Sequence, residues 1–167
     1  MKNLLILLVL VLSQSIGFAE DSPKMSIEGR VTSFDGTKLK GVKIVFYNED
    51  RSSVVKEFFT GDNGKYAAVD LLMGETYIME VSLKGYVTKR ILIDSKENYY
   101  EEDSPLIVPL DIPFQLDSNK SLTKRKELKK KGFYIGKLKV DPATGGLAVD
   151  MKFTSEQKQK YESHKKK

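Results

Sequence analysis

The sequence of 167 residues contains no cysteine and a single histidine, His164. Without cysteine there can be no disulfide bridge, cysteine nucleophile, thiolate metal site or cysteine-linked lipid anchor. His164 stands beside three terminal lysines, whereas a catalytic base must be held in place by packed neighbours. The sequence therefore predicts a chain that is not an enzyme and that uses no cofactor and no metal.

Residues 4–12 are an unbroken apolar run, preceded by Lys2 and followed by the small-residue site Gly17-Phe18-Ala19. This pattern is typical of a cleaved signal peptide over residues 1–19. The run falls short of the roughly 20 residues that cross a bilayer, so no membrane span is expected after cleavage. We expect an exported protein in the periplasm or on the outer surface of a Gram-negative bacterium, which disfavours nucleic acid as a partner.

Charge is distributed unevenly after the predicted leader. Residues 20–116 carry 12 Lys and Arg against 17 Asp and Glu, whereas residues 117–167 carry 15 against 6. The chain is thus an acidic body followed by a basic region. Some 148 residues suffice to bury a core without disulfides.

From residue 26 to residue 94, apolar and polar residues alternate with a period of two, which predicts half-buried strands. Residues 26–47 are expected to form a hairpin, and the turn "GDNG" at residues 61–64 to join the third strand to the fourth in another. Gly85 marks a further reversal. The fold class predicted is an all-β antiparallel sandwich with a C-terminal hairpin and a short terminal helix.

Residues 106–116 alternate without a break, but Pro109 and Pro113 remove two amide donors from the same side of the run. This pattern is typical of an edge strand, whose prolines also guard against edge-to-edge aggregation. The predicted organisation is a linker at 20–25, the sandwich at 26–116 with its edge strand at 106–116, a basic linker at 117–132, a hairpin at 133–154 and a basic helical tail at 155–167. The tail helix is expected to be capped by Thr154 or Ser155.

The stretches "IEGRVTSFDGTKLKGVKI" and "TGDNGKYAAVDLLMGETYIMEVSLKGY" resemble the carboxypeptidase regulatory-like domain, a transthyretin-like β-sandwich common in exported bacterial proteins. The matching positions are Gly29, Val31, Gly41, Val42, Ile44, Thr60, Asp62, Gly64, Tyr66, Gly74, Tyr77, Gly85 and Tyr86. The sequence departs from the family pattern at Lys40, where proline is common, and at the extra Gly61. The resemblance covers residues 26–94 and implies a scaffold that folds, docks or recognises glycans in a carbohydrate-binding-like manner, and no reaction.

Two groups of residues are candidates for contact with a ligand. Tyr99 and Tyr100, with Tyr47 and Tyr86 as weaker members, would offer aromatic surface to a glycan or a protein partner. The carboxylates of "YYEED" at residues 99–103 lack the spacing of a calcium loop, so we interpret them as a solvated acidic loop. The second group would contact an anionic lipid or lipopolysaccharide surface and consists of Lys124, Arg125, Lys126, Lys129, Lys130 and Lys131.

Together these features predict a non-enzymatic exported binding or assembly module of the bacterial cell envelope, with an envelope protein as its partner. Two alternatives stay open: a carbohydrate-binding-like module for envelope or dietary glycan, and anionic surface binding through the basic region. A hydrolase that uses carboxylates alone is disfavoured, because the acidic residues fall mostly in turns.

Overall fold

The computed structural model describes residues 23–97, 107–121 and 132–164. The described residues form ten strands, one 3-10 helix and one α-helix. The strands are β1 (Lys24–Ser33), β2 (Lys43–Asn48), β3 (Val54–Phe59), β4 (Lys65–Leu72), β5 (Thr76–Ser82), β6 (Lys89–Asp94), β7 (Ile107–Asp111), β8 (Phe114–Leu116), β9 (Phe133–Val140) and β10 (Leu147–Val149). The 3-10 helix spans Asn119–Ser121, and the α-helix, α1, spans Met151–Glu162.

The strands form two sheets that enclose an apolar core. One sheet has the order β10-β9-β6-β5-β2-β3, and the other has β1 at its centre, with β4 on one side and β7 and β8 on the other. Alternate residues of β1 and β2, including Ile27, Val31, Ile44 and Phe46, are fully buried between the sheets. The predicted β-sandwich with its C-terminal hairpin and short helix is confirmed. Its pairing is mixed, because β7 and β8 run parallel to β1 and β9 runs parallel to β6.

The predicted hairpin over residues 26–47 is wrong. β1 lies in the smaller sheet and β2 in the larger one, so the chain crosses between layers after β1. The turn at residues 61–64 likewise carries the chain from β3 in the larger sheet to β4 in the smaller one. Alternation identifies a strand and its buried face, but a tight turn between two strands is compatible with pairing or with a crossing. The reversal at Gly85 does join the antiparallel neighbours β5 and β6.

The run predicted as one edge strand over residues 106–116 is divided into β7 and β8. Both pair with β1, and Pro113 lies in the gap between them, where it has no amide to donate. Among the strands that the structure describes, neither pairs with any other strand. The edge position is therefore as expected, although the strand is interrupted.

The C-terminal hairpin joins the body as part of the larger sheet. β9 pairs in parallel with β6, and β10 pairs with β9 across the turn at residues 141–146. Helix α1 then packs on β9, where the Lys137 amide donates to the Thr154 hydroxyl at 3.3 Å. No helix among the described residues is both long enough and apolar enough to cross a bilayer.

Helix α1 begins earlier than the sequence predicts. Asp150 is its N-cap, and its carboxylate accepts a hydrogen bond from the Phe153 amide at 3.1 Å. Met151 and Phe153, which were expected in the hairpin, are therefore helical. An aspartate satisfies the free amides of a first turn as well as threonine or serine does, so the helix begins before the predicted cap at Thr154 or Ser155.

A buried polar cluster anchors α1 to the sandwich. The Tyr161 hydroxyl donates to Oδ2 of Asp117 at 2.6 Å, and Nζ of Lys89 lies 2.7 Å from the same oxygen. The ring of Phe133 packs edge-on against Tyr161 at 4.9 Å between centroids. All four side chains are buried, so the cluster ties the last helix to β6, β9 and the segment after β8.

Candidate functional site

The residues predicted to contact ligands lie outside the described residues. This is true of Tyr99 and Tyr100 and of the whole basic cluster at residues 124–131. Contact with glycan, envelope protein or anionic lipid through them stays a prediction, as does export, since residues 1–19 are outside as well. Of the weaker candidates, Tyr47 lies under the Arg51 guanidinium at 4.8 Å and Tyr86 packs partly buried against the core.

A cleft opens on the smaller sheet where the pairing of β1 is irregular on both sides. Towards β4, the register shifts between Ile27 and Gly29. Towards the other neighbour, pairing is broken between Asp111 of β7 and Phe114 of β8. The two irregularities meet at residues 28–30, which leaves a concave space of about 400 Å³. The cleft is lined by Glu28, Gly29, Arg30, Lys65, Tyr66, Asp111 and Pro113.

Gly29 is required at the base of this cleft because two oxygens occupy the place of a side chain. A Cβ on Gly29 would lie 2.4 Å from the Ile112 carbonyl oxygen and 2.7 Å from the Tyr66 hydroxyl. The Tyr66 hydroxyl donates to that same carbonyl at 2.7 Å, and the Ile112 amide donates to the Glu28 carbonyl at 2.9 Å. These bonds hold the strand break at Ile112 against β1.

Four charged side chains surround the open side of the cleft in two like-charged pairs. Glu28 and Asp111 are directly opposite each other on β1 and β7, and Arg30 and Lys65 are opposite each other on β1 and β4. All four side chains are exposed. Among the described residues, none of the four lies within 4.0 Å of an oppositely charged group.

The outer face of the larger sheet has a different arrangement, because its central charges are paired. Oε2 of Glu80 lies 2.9 Å from Nη2 of Arg51 and 2.6 Å from Nη2 of Arg90. The Arg90 guanidinium also lies over the ring of Tyr134 at 6.0 Å. These groups already have their partners within the protein, so the unpaired charges of the cleft are the better candidates for a ligand.

Tyr66 adds a buried hydroxyl to the cleft. Burial, followed by the negative charges of Asp111 and Glu28, raises the pKa of Tyr66 well above its ordinary value. The phenol is therefore a hydrogen-bond donor at neutral pH rather than a base. The groups available to a ligand are thus two carboxylates, an ammonium, a guanidinium and backbone at Gly29.

Tyr66 is one of three tyrosines, among the residues that the structure describes, whose ionisation is coupled to folding. Burial is the main cause that raises the pKa of Tyr66, Tyr77 and Tyr161. A raised folded pKa gives stability that is fully present below the unfolded value near 10 and is lost as pH rises above it. We expect the free energy of unfolding to fall above pH 10, by up to about 1.4 kcal/mol per pH unit for each tyrosine.

This dependence is measured by guanidinium unfolding from pH 8 to pH 11. A Tyr66→Phe, Tyr161→Phe double variant should show a shallower loss of stability than the wild type over this range, because two of the three coupled protons are absent. Equal slopes in the two proteins would contradict the assignment.

Sequence reasoning missed the cleft, although two of its residues stood in the matched motifs. Gly29 and Tyr66 are two of the positions that match the family pattern, but the pattern does not show that they lie against each other. The like-charged pairs depend on strand register, which a single sequence does not provide. Among the described residues, no three His, Cys, Asp or Glu side chains form a group able to hold a metal ion.

No protein-family model matches this chain, and no curated protein matches it. Several solved structures align with part of the chain. The 5-hydroxyisourate hydrolase of Klebsiella pneumoniae aligns over 56% of this chain and 90% of its own, at 13% identity and a TM-score of 0.41. The described residues form a β-sandwich of two sheets.

Two other solved structures align with part of this chain. 3-Chlorocatechol 1,2-dioxygenase of Rhodococcus opacus aligns over 60% of this chain and 62% of its own, at 10% identity and a TM-score of 0.44. The Bacillus anthracis TIE protein aligns over 57% of this chain and 17% of its own, at 22% identity and a TM-score of 0.41. Similarity at this level describes the fold alone, and it transfers no activity to this chain.

The prediction of a non-enzymatic binding or assembly module is wrong as an inference from this fold. It depended on the scaffold role implied by the family resemblance, whereas the solved structures with similar architecture include dioxygenases and a hydrolase. Function has to be argued from the cleft itself.

Proposed function

We propose that the cleft at Glu28, Arg30, Lys65 and Asp111 binds a small molecule that carries both an ammonium and a carboxylate group. The observation that carries the proposal is the placement of two unpaired like-charged pairs of opposite sign beside one concave space. The acidic pair suits an ammonium group, and the basic pair suits a carboxylate. The guanidinium of Arg30 can hold a carboxylate with two parallel hydrogen bonds.

The spacing of the two pairs selects the length of the ligand. Glu28 and Arg30 are two residues apart on β1, so their Cα atoms are separated by about 6.6 Å. An extended dipeptide spans about 7 Å, whereas the two charges of a free amino acid are roughly half as far apart. A dipeptide with free termini therefore fits both pairs at once.

The repulsion within the like-charged pairs of the cleft supports a binding role. Like charges that face each other on neighbouring strands destabilise a sheet. Two such pairs side by side therefore lower the stability of the folded protein. A ligand that carries an ammonium and a carboxylate would offset the repulsion in both pairs. Functional sites in proteins commonly contain groups that lower the stability of the folded state.

The proposal is tested by titrating the labelled protein with Ala-Ala and following amide chemical shifts. We expect shifts at Gly29 and Ile112 and a dissociation constant on the order of 1 mM, since exposed charges are screened by water and salt. N-acetyl-Ala-Ala, Ala-Ala-amide and free alanine should bind at least about tenfold more weakly, a loss of about 1.4 kcal/mol. Release of alanine in the same samples would identify the cleft as a hydrolytic site.

Charge-neutral variants separate binding from folding. Glu28→Gln with Asp111→Asn, and Arg30→Gln with Lys65→Gln, should each abolish the Ala-Ala shifts and leave the melting temperature equal or higher. Lys40→Gln with Asp62→Asn is the matched control, because it removes an exposed ion pair away from the cleft. Equal shifts with the blocked peptides, or unchanged binding by either cleft variant, would contradict the proposal.

We also propose that residues 26–94 belong to the carboxypeptidase regulatory-like family. Support comes from the contacts of the matched glycines and tyrosine. A Cβ on Gly64 would lie 2.5 Å from the Val31 carbonyl oxygen, just as a Cβ on Gly29 would strike the Tyr66 hydroxyl. Gly29 and Gly64 thus share a physical reason in this fold, because neither position has room for a side chain. An experimental structure with a strand order unlike that of solved family members would contradict the assignment.

A further inference from the structure

A second concave surface lies where the edge strands β3 and β4 come together. It shares no lining residue with the Gly29 cleft. It encloses about 510 Å³. Its apolar part is formed by Val55, Leu72 and Tyr77, and its rim carries the carboxylates Glu49, Asp50 and Glu75. We call this surface the acidic groove.

The acidic groove exposes apolar surface that the fold leaves uncovered. Val55 is 40% exposed and Leu72 is 47% exposed. The neighbouring Val54 is 54% exposed, although it belongs to a strand. Among the described strands, β3 pairs with β2 alone, so its outer backbone groups are free to hydrogen-bond with an added segment.

The charge of the rim specifies the occupant. Lys96 pairs with Glu49 at 2.6 Å, and Asp50 and Glu75 have no ion pair among the described residues. A segment that fits must therefore be extended, must carry an apolar side chain and must be basic on either side of it. Residues 122–131 of this chain read "LTKRKELKKK", with Leu122 and Leu128 among six basic residues.

We infer that residues 122–131 of one copy dock in the acidic groove of a second copy. The inference rests on charge complementarity between this segment and the rim, and it is independent of the cleft at Gly29. The predicted contact joins two different surfaces, so each copy has one groove and one segment. Such a head-to-tail contact produces rings or open chains rather than a closed dimer.

Docking within one chain is disfavoured by distance. The segment is held at both ends near the β5–β6 turn, where the Asn119 amide donates to the Gly85 carbonyl and the Phe133 amide to the Thr88 carbonyl. The acidic groove lies at the Thr76 end of β5, which is about 20 Å from the β5–β6 turn along the strand. It is also displaced sideways by about 10 Å, the width of two strand spacings from β5 to β3. An out-and-back path of eleven residue steps reaches only about 19 Å, less than the roughly 22 Å needed.

Sedimentation velocity of the purified protein tests the inference. We expect the weight-average mass at about 200 µM to exceed the monomer mass at least 1.5-fold in low salt, near 50 mM, and to return to the monomer mass in about 500 mM salt. A groove-reversed variant, Asp50→Lys with Glu75→Lys, should be monomeric. A segment-reversed variant, with all six basic residues at 124–131 changed to Glu, should be monomeric too.

The decisive measurement is the mixture of these two variants. In the mixture, the now basic groove of the groove-reversed variant meets the now acidic segment of the segment-reversed variant. The mixture should therefore associate although neither variant associates alone. Asp62→Lys with Glu156→Lys is the control of equal charge change, and it should associate like the wild type. A wild type that stays monomeric in low salt, a groove-reversed variant that still associates, or a mixture that stays monomeric would overturn the inference.

Discussion

Replacing Gly29 with alanine is expected to destabilise the protein by about 3 kcal/mol, which lowers the melting temperature by about 10 °C. The new Cβ would lie 2.4 Å from the Ile112 carbonyl oxygen and 2.7 Å from the Tyr66 hydroxyl. The backbone of Gly29 lies outside the left-handed region, so the loss comes from overlap and not from backbone strain. Unfolding in urea measures it.

Gly61→Ala is the matched control for this substitution. Gly61 also lies outside the left-handed region, and its nearest neighbouring atom to a new Cβ is 3.9 Å away. It should change the free energy of unfolding by less than about 0.5 kcal/mol. If Gly29→Ala is no more harmful than Gly61→Ala, the close approach at the base of the cleft is absent in solution.

The Tyr66→Phe variant shows how much the Tyr66 hydroxyl contributes to the overlap with a side chain at residue 29. Alone, it removes one buried hydrogen bond to the Ile112 carbonyl and should destabilise the protein by about 1 kcal/mol. Combined with Gly29→Ala, it relieves one overlap and leaves the other, so the double variant should be more stable than the sum of the two single effects predicts. A strictly additive result would mean that the hydroxyl does not contact the new methyl group.

Local features of the sandwich could be predicted from the sequence, because they depend on neighbours in the chain. Alternation located the buried faces of β1 and β2, and the turn at residues 141–146 defined the hairpin of β9 and β10. The choice of sheet for β1 and β2 depends on contacts distant in sequence. A short connection from β1 to β2 therefore suggested a hairpin where the chain crosses between layers.

The candidate site was beyond the reach of the sequence for a related reason. Glu28, Arg30, Lys65 and Asp111 look like ordinary solvated charges when each is seen on its own strand. Only the registers of β1 with β4 and β7 bring them together as two like-charged pairs. The same holds for Lys89 and Tyr161, which belong to the predicted strands at residues 26–94 and to the predicted basic helical tail at residues 155–167.

The second large effect is expected at the buried cluster that anchors α1. Changing Lys89 to Met should destabilise the protein by about 3 to 5 kcal/mol, because it removes the cation from the buried carboxylate of Asp117. Nζ of Lys89 lies 2.7 Å from that carboxylate, and the two side chains are only 9% and 7% exposed. Guanidinium unfolding, followed by the circular dichroism of the helix and by tyrosine fluorescence, measures the change.

An exposed ion pair on the same sheet is the control for this substitution. Lys43 and Glu57 are 2.9 Å apart, but their side chains are 43% and 39% exposed. Lys43→Met should leave the unfolding midpoint unchanged, since water solvates the remaining carboxylate. If Lys89→Met is equally silent, the cluster at Asp117 is solvated rather than buried.

Replacing the whole cluster shows whether Lys89→Met destabilises the protein through the unpaired charge of Asp117 or through a general loss of packing. The triple variant Lys89→Met, Asp117→Leu, Tyr161→Phe removes the cation, the carboxylate and the phenol that donates to it. Because apolar replacement of a complete buried ion pair is often neutral, we expect the triple variant to be within about 1 kcal/mol of the wild type. A triple variant as unstable as Lys89→Met would mean that the cluster stabilises the helix through its own attraction.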